Sequence, residues 1–357
     1  MRLPVNNVSP TGIAPVLQVH PTRRCNLLCD HCYSMSGPAE REDLPVEALS
    51  HCLEDAFVLG YRQLAVSGGE PLLYKPLFNL LAHSRRMGML NTVTTNGMLI
   101  TRSRWEQLAR LVDVLAVSID GREHEHDHIR RQKGAFARTV ANLDIIRESN
   151  VPFGFIFTLT QFNVDSLEFV VRLARETGAR SVQVHPLTLH GRAALTMLGA
   201  RPDGIELVAA MLEAVRFGHK LGVPVTVDAL SVQQLLAYRS HLVPIRPIGK
   251  LTDVASVLVV EPDGSVKPLT HEVSRRLGLG SLKDERLSKL AARWLAAGAG
   301  DLLADACART WNELSDTKSL HAVYWYDEVA ARTHQPDFFQ PVTLTSNGFA
   351  QAPAKAS

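Results

Sequence analysis

This 357-residue chain contains no run approaching the eighteen or so apolar residues of a membrane span. Its first fifteen residues, Met1 to Pro15, lack the basic segment followed by an apolar one that marks a secretory signal. Charge of one sign is missing too: 38 Lys and Arg against 36 Asp and Glu leave a formal +2, with no Lys/Arg run long enough to attract nucleic acid or anionic lipid. Cysteine is sparse, five residues, and three of them fall between positions 25 and 32, which is not the pattern of a disulfide framework. There is no P-loop. Gly278-Leu279-Gly280 meets Lys283 where a dinucleotide loop needs its third glycine, and His271-Glu272 is followed by Arg275 where a zincin helix needs histidine. No solenoid repeat is visible. What remains is a cytoplasmic protein with reduced thiols, long enough for one barrel-sized domain and a smaller extension.

The chain is organised around Val16–Tyr33, V-L-Q-V-H-P-T-R-R-C-N-L-L-C-D-H-C-Y. A short apolar alternation reads as a strand, and Cys25, Cys29 and Cys32 follow it at C-x3-C-x2-C spacing. Three thiolates turned inward by one loop form a soft-metal site. Zinc and four-iron clusters normally take four protein ligands, so a four-iron cluster here keeps one iron free of protein sulfur, open to a small molecule that is to be reduced. The rival reading is a zinc loop completed by His20 or His31, but His31 is wedged between Cys29 and Cys32, where its ring can hardly reach the same ion.

Six strand-like runs follow one another: Val16–His20, Gln63–Ser67, Asn91–Thr95, Val114–Ile119, Phe153–Leu159 and Ser181–Pro186. Stretches of helical period separate them: Val46–Leu59, Pro76–Met87, Arg102–Leu111, Phe136–Glu148 and Asp165–Thr177. Such alternation predicts right-handed crossovers, a parallel sheet and chemistry at the carboxyl ends of its strands. The Cys loop, Gly68–Glu70, Asn96–Gly97 and Asp120–Gly121 each follow a strand end. Paired Gly68 and Gly69 let a ligand approach the backbone, and the Glu70 carboxylate can accept from an ammonium group. Thr95 and Asn96 can bond a ligand or close an Asx-turn. Histidines 124, 126 and 128 fall in what reads as a charged loop and are expected at the surface.

C-x3-C-x2-C in the form CNLLCDHCY resembles the signature of the radical S-adenosylmethionine enzymes, in the peptide-modifying branch with SPASM or twitch extensions. The resemblance implies a partial (β/α)6 TIM-type barrel in the α/β class, with a small C-terminal α+β extension. It implies one [4Fe–4S] cluster on Cys25, Cys29 and Cys32, and S-adenosylmethionine chelated by the open iron. His31 then packs near the adenine, and Gly68-Gly69-Glu70 meets the methionyl amino group. Thr95 and Asn96 stand beside the cofactor. Ser118-Ile119-Asp120-Gly121 with Arg130 resembles the block that binds the ribose hydroxyls and the methionine carboxylate, with Arg130 as a bidentate clamp. Val184 and His185, before Gly191-Arg192-Ala193, resemble the strand that borders adenine and substrate.

The expected division is an N-terminal segment 1–14, a barrel 15–200, a SPASM-like region 201–334 and a disordered tail 335–357. Glu261 to Leu269, E-P-D-G-S-V-K-P-L, resembles the start of a SPASM domain with Leu269 where its cysteine belongs. Only Cys307 remains downstream, and one thiol cannot hold an auxiliary cluster, so the extension is expected to carry no metal. Cys307 is a candidate hydrogen-atom donor to a substrate radical; the ordinary reading is a small buried side chain. The implied reaction is reductive cleavage of S-adenosylmethionine to a 5′-deoxyadenosyl radical that abstracts hydrogen from a ribosomally made precursor peptide, leading to epimerisation, cyclisation or C–C rearrangement. Implied partners are that peptide and an external one-electron reductant of the flavodoxin or ferredoxin type; with no room for a leader-binding domain before the first strand, either a separate leader-binding protein or the C-terminal extension is expected to hold the peptide. A small molecule or tetrapyrrole side chain is the alternative substrate. A metal-binding interaction module without turnover is the alternative of another class.

Overall fold

A computed structural model describes residues 14–316, 321–336 and 338. In chain order its elements are β1 (Val16–Val19), α1 (Val46–Leu59), β2 (Gln63–Val66), α2 (Leu77–Arg86), β3 (Leu90–Thr95), α3 (Arg102–Leu108), β4 (Val114–Ser118), α4 (Glu123–Ile129), α5 (Ala135–Arg147), β5 (Phe153–Leu159), α6 (Leu167–Thr177) and β6 (Val182–Pro186). There follow α7 (Ala193–Thr196), α8 (Gly204–Leu221), β7 (Val225–Val227), β8 (Leu230–Ser231), α9 (Val232–Ala237), α10 (Arg239–Leu242), β9 (Val257–Val260), β10 (Ser265–Pro268), β11 (Gly280–Ser281), α11 (Leu287–Ala296), α12 (Ala299–Ser315), β12 (Ala322–Val323) and α13 (Trp325–Thr333).

The strands order as β11-β10-β9-β1-β2-β3-β4-β5-β6-β7, and every pair from β9 to β7 is parallel. The six expected strands form the middle of this sheet. Two more parallel strands flank them, β7 beyond β6 and β9 beside β1, in register Val16 to Val257 through Val19 to Val260. The sheet therefore runs across the boundary expected at residue 200. A hairpin turns at Pro262-Asp263-Gly264, with Gly264 at φ +86, and its first strand, β9, is built into the sheet. All but residue 14 of the expected N-terminal segment, and all but 335, 336 and 338 of the expected tail, lie outside the described residues.

Strand alternation gives the sheet two unlike faces. Leu17, Val19, Leu64, Val66, Val93, Leu115, Val117, Phe155, Phe157, Val182 and Val184 are buried and join helix residues such as Leu53, Leu80 and Val170 in one core. On the other face Gln18, Ala65, Thr94, Ser118, Gln183 and His185 are half-buried. A parallel sheet with helices on both sides would show unbroken apolar strands. This one has helices on its apolar face and an inner face that is polar and partly open.

Candidate active site

The Cys loop leaves β1 at the carboxyl rim of the sheet. Gly69 and Glu70 donate their backbone N–H groups to the carbonyls of Thr22 (3.0 Å) and Arg24 (2.9 Å), so the loop after β2 pairs with the loop after β1. A Cβ on Gly69 would stand 2.3 Å from the Arg24 carbonyl oxygen, and one on Gly68, at φ +102, 2.8 Å from His20 Cβ. Both glycines are needed for this close approach of protein to protein, before any ligand is considered.

Cys25, Cys29 and Cys32 are free thiols, each half-buried. Burial pushes the Cys25 and Cys29 thiols up to about 12; the Glu70 charge adds to this at Cys25, while Arg130 opposes it at Cys29. Such thiols stay protonated until a metal replaces the proton. The charges of Cys29 and Cys32 reach Cys25 and raise its thiol further, and Cys52 and Cys307, both buried in the core, are no fourth ligand. His20 is no fourth ligand either. It is fully buried, with Nδ1 3.2 Å from Glu261 Oε2 and Nε2 shared by Gln18 Nε2 (2.8 Å) and the Tyr33 hydroxyl (3.2 Å). Three thiols without a fourth protein ligand among the described residues fit a cluster that keeps one iron open.

Behind the loop sits a buried charge group. Arg130 Nη2 lies 2.7 Å from Asp120 Oδ2, and His31 Nε2 approaches the same oxygen at 3.0 Å. Asp120 Oδ1 accepts from the Thr158 N–H at 3.1 Å. Burial alone would raise the Asp120 carboxyl, but Arg130 and His31 outweigh it and hold it far below the usual range. Asp120 has no exposed surface, and both its carboxylate oxygens meet protein groups. Arg130 Nε and His31 Nδ1 are buried without a hydrogen-bond partner, two donors or acceptors left for a ligand at the rim.

Glu70, 1% exposed, accepts from Leu72 N–H (3.1 Å), Thr95 Oγ1 (2.8 Å) and Asn96 N–H (2.9 Å). Burial raises its carboxyl all the same. Asn96 closes the Asx-turn, accepting from Met98 N–H at 3.0 Å, and donates to Asn26 Oδ1 in the Cys loop at 2.8 Å. Thr95 and Asn96 therefore hold Glu70 and the Cys loop in place. Ser118 stands half-buried on the inner face of β4. His185 does the same on β6, with Nδ1 paired to Asp228, which raises the imidazole against the opposing effect of burial.

Three groups of residues lie away from the rim or on a different element than the sequence suggests. Val184 is fully buried in the core on the helix side, because alternation turns it away from the face that carries Gln183 and His185. Cys307 is 2% exposed in that core on α12, raised to about 12 by burial, so its thiol does not face the rim. Histidines 124, 126 and 128 lie on α4, not in a loop. His126 is fully buried, and its Nδ1 accepts from the Asp120 N–H at 3.1 Å; burial and then Arg130 lower it to about 3.

Sequence reasoning missed Arg192 as a brace. Nη1 donates to the Cys29 carbonyl (2.8 Å), Nη2 to the Ser36 carbonyl (2.7 Å), and its N–H to the Cys32 carbonyl (2.8 Å). The only signal was an arginine in the stretch after the sixth strand, 160 residues from the loop it holds.

Residues 19–174 match the family model described as the Radical SAM superfamily. The chain is 31% identical over 217 residues to Fe-coproporphyrin III synthase of Methanosarcina barkeri, covering 60% of this chain and 54% of that protein. It is 29% identical over 213 residues to PqqA peptide cyclase of Ruegeria pomeroyi, covering 57% and 56%. The chain thus spans about half the length of the curated relatives it matches. In fold it is similar to Streptococcus suis SuiB bound to S-adenosylmethionine, with TM-score 0.61 at 16% identity over 78% of this chain and 65% of that one. The cofactors characteristic of such a domain are a [4Fe–4S] cluster and S-adenosylmethionine. The residues present fit them: three free thiols on one loop, and two orphaned buried nitrogens beside them.

Proposed function

With residues 19–174 a radical SAM domain, we propose that this chain is an enzyme that uses S-adenosylmethionine to abstract a hydrogen atom from a precursor peptide. When bound, the cluster and S-adenosylmethionine supply one-electron cleavage of a sulfonium and a primary-carbon radical. Cys25, Cys29 and Cys32 hold the cluster, and Arg192 fixes the carbonyls of two of them. Arg130 keeps Nε for the cofactor carboxylate while Nη2 is spent on Asp120. Glu70 offers the methionyl ammonium a carboxylate already oriented by three donors. His31, Gly68, Gly69, Thr95 and Asn96 line or brace the same end, and Ser118 and His185 face the open side of the sheet. The carrying observation is the three-thiol loop at the carboxyl rim, braced by Arg192 and flanked by the unpaired Arg130 Nε and His31 Nδ1.

The substrate reading turns on charge. A cavity of about 580 Å³ at the end of β6 is walled by Asp203 and Glu328, with the Arg201 guanidinium spent on Asp327. Several propionates would be repelled there, whereas a peptide carrying a basic residue would be held. A peptide is therefore favoured over a tetrapyrrole, although Fe-coproporphyrin III synthase is among the relatives. An external one-electron reductant and a leader-binding protein complete the proposal.

Anaerobically reconstituted protein given a reductant of the flavodoxin type should release 5′-deoxyadenosine and methionine, and Cys25→Ala/Cys29→Ala/Cys32→Ala should release none. With candidate precursor peptides and coproporphyrin offered separately, a mass change and deuterium transfer confined to the tetrapyrrole would overturn the peptide reading.

A further inference from the structure

Three segments that sequence order keeps far apart meet beside the Cys loop. His190 lies in the turn after β6, Glu272 in the loop after β10, and Asp327 in the first turn of α13. One ligand atom from each lies within 4.8 Å of the other two. His190 Nε2 is 3.0 Å from Glu272 Oε2 and 3.9 Å from Asp327 Oδ1. A divalent ion with bonds near 2.1 Å sets neighbouring ligands ~3.0–3.4 Å apart and opposite ones ~4.2 Å apart, so the triad spans a metal-sized gap. Glu272 is 5% and Asp327 8% exposed.

The outer oxygens are differently provided for. Asp327 Oδ2 is held by Arg201 Nη2, the kind of outer contact that orients a metal ligand. Glu272 Oε1 is buried with no hydrogen-bond partner, and so is His271 Nε2, 3.4 Å away. The plain alternative is a network in which protonated His190 bridges two carboxylates. One N–H cannot bridge them, since 3.9 Å is too long for a hydrogen bond, and that network leaves Glu272 Oε1 orphaned. An ion that takes Glu272 through both oxygens satisfies it. The loop carrying Glu272 also opens on Leu269 at φ +65, a left-handed conformation that a leucine rarely adopts.

We propose that His190, Glu272 and Asp327 form a second metal site, for one divalent cation of the class that takes imidazole and carboxylate ligands, Mn²⁺, Fe²⁺ or Zn²⁺. It adjoins the Cys loop: a Cβ on Gly191, next to His190, would stand 2.2 Å from the Tyr33 carbonyl oxygen, and the His271 and Tyr33 rings pack at 4.4 Å. On its other side Asp327 walls the cavity at the end of β6. The ion ties α13 and the loop after β10 to the rim of the sheet.

The test uses the cluster-loaded full chain, freed of loose divalent metal by chelator and titrated anaerobically with Mn²⁺, which thiolates bind poorly. Free Mn²⁺ is read by electron paramagnetic resonance. The wild type should take up one saturable equivalent per chain and melt at higher temperature with Mn²⁺ present. Glu272→Gln and Asp327→Asn should bind at least tenfold more weakly and lose the Mn²⁺-dependent rise, while iron and sulfide content reports that they are folded. Should either fail to hold the cluster, His190→Gln, on a partly exposed residue, must show the same loss. Glu213→Gln, on the outer face of α8, should bind like wild type. No saturable equivalent in the wild type, or equal binding by the triad variants, overturns the proposal and leaves an ion-pair network.

Discussion

Arg192 and Cys29 are joined across 163 positions of sequence, Nη1 donating to the Cys29 carbonyl at 2.8 Å while Nη2 and the backbone N–H reach Ser36 and Cys32. A cluster loop has few side-chain anchors of its own, so this guanidinium sets its backbone. Arg192→Lys keeps the charge but not the fork. Iron bound after reconstitution should drop by at least half, and 5′-deoxyadenosine formation about tenfold.

Gly69 and Gly134 separate close approach from backbone conformation. A Cβ at Gly69 would collide with the Arg24 carbonyl, whereas one at Gly134, φ +78, meets nothing within 4 Å. Gly134→Ala should cost about 1–2 kcal/mol through its left-handed backbone alone. Gly69→Ala must displace the Cys loop, so it should lose the cluster, read as loss of absorbance near the iron–sulfur charge-transfer band. Equal effects of the two would show that the loops do not depend on this contact.

Asp55 on α1 docks α11 through Arg286 Nη2 (2.8 Å), Arg286 Nε (3.2 Å) and the Ser288 N–H (2.9 Å). Burial would raise its carboxyl, but Arg286 and Ser288 prevail and hold it below the ordinary value. A depressed carboxyl stabilises the fold above the unfolded group's value, about 4, and loses that effect as pH falls through the folded one. Thermal midpoints followed downward from pH 6 should therefore drop faster in wild type than in Asp55→Asn, whose midpoint is already lower at pH 6.

Cys307 packs in the core, so Cys307→Ala should cost about 1–2 kcal/mol by the cavity it leaves and should leave cluster content and product unchanged. Loss of hydrogen return to substrate, with stability intact, would restore the thiol to the chemistry. Cys52→Ser, also in the core, should behave as a stability variant only.

Local pattern carried the sequence reading a long way. Val46–Leu59 and Phe153–Leu159 fall where periodicity places them, because a helix or strand edge is set by residues a few positions apart. Misreadings came where a distant partner decides. α4 carries Glu123-His124-Glu125-His126-Asp127-His128, polar enough to read as loop, yet His126 is buried because it caps the Asp120 backbone. Val257–Val260 reads as part of an extension, but hydrogen bonding to β1 puts it in the main sheet.

The spacing of Cys25, Cys29 and Cys32 by itself put three thiols on one short loop after a strand, because they lie within eight residues of one another. The strand–helix alternation determined a parallel sheet with a functional rim. Only the tertiary structure decided that Gly69 yields to Arg24, that Asp120 is spent on Arg130 and His31, that Arg192 braces the loop, and that His190, Glu272 and Asp327 converge. Each of those depends on which residues far apart in sequence become neighbours when the sheet forms, and a buried polar group takes its role from the neighbour it finds there.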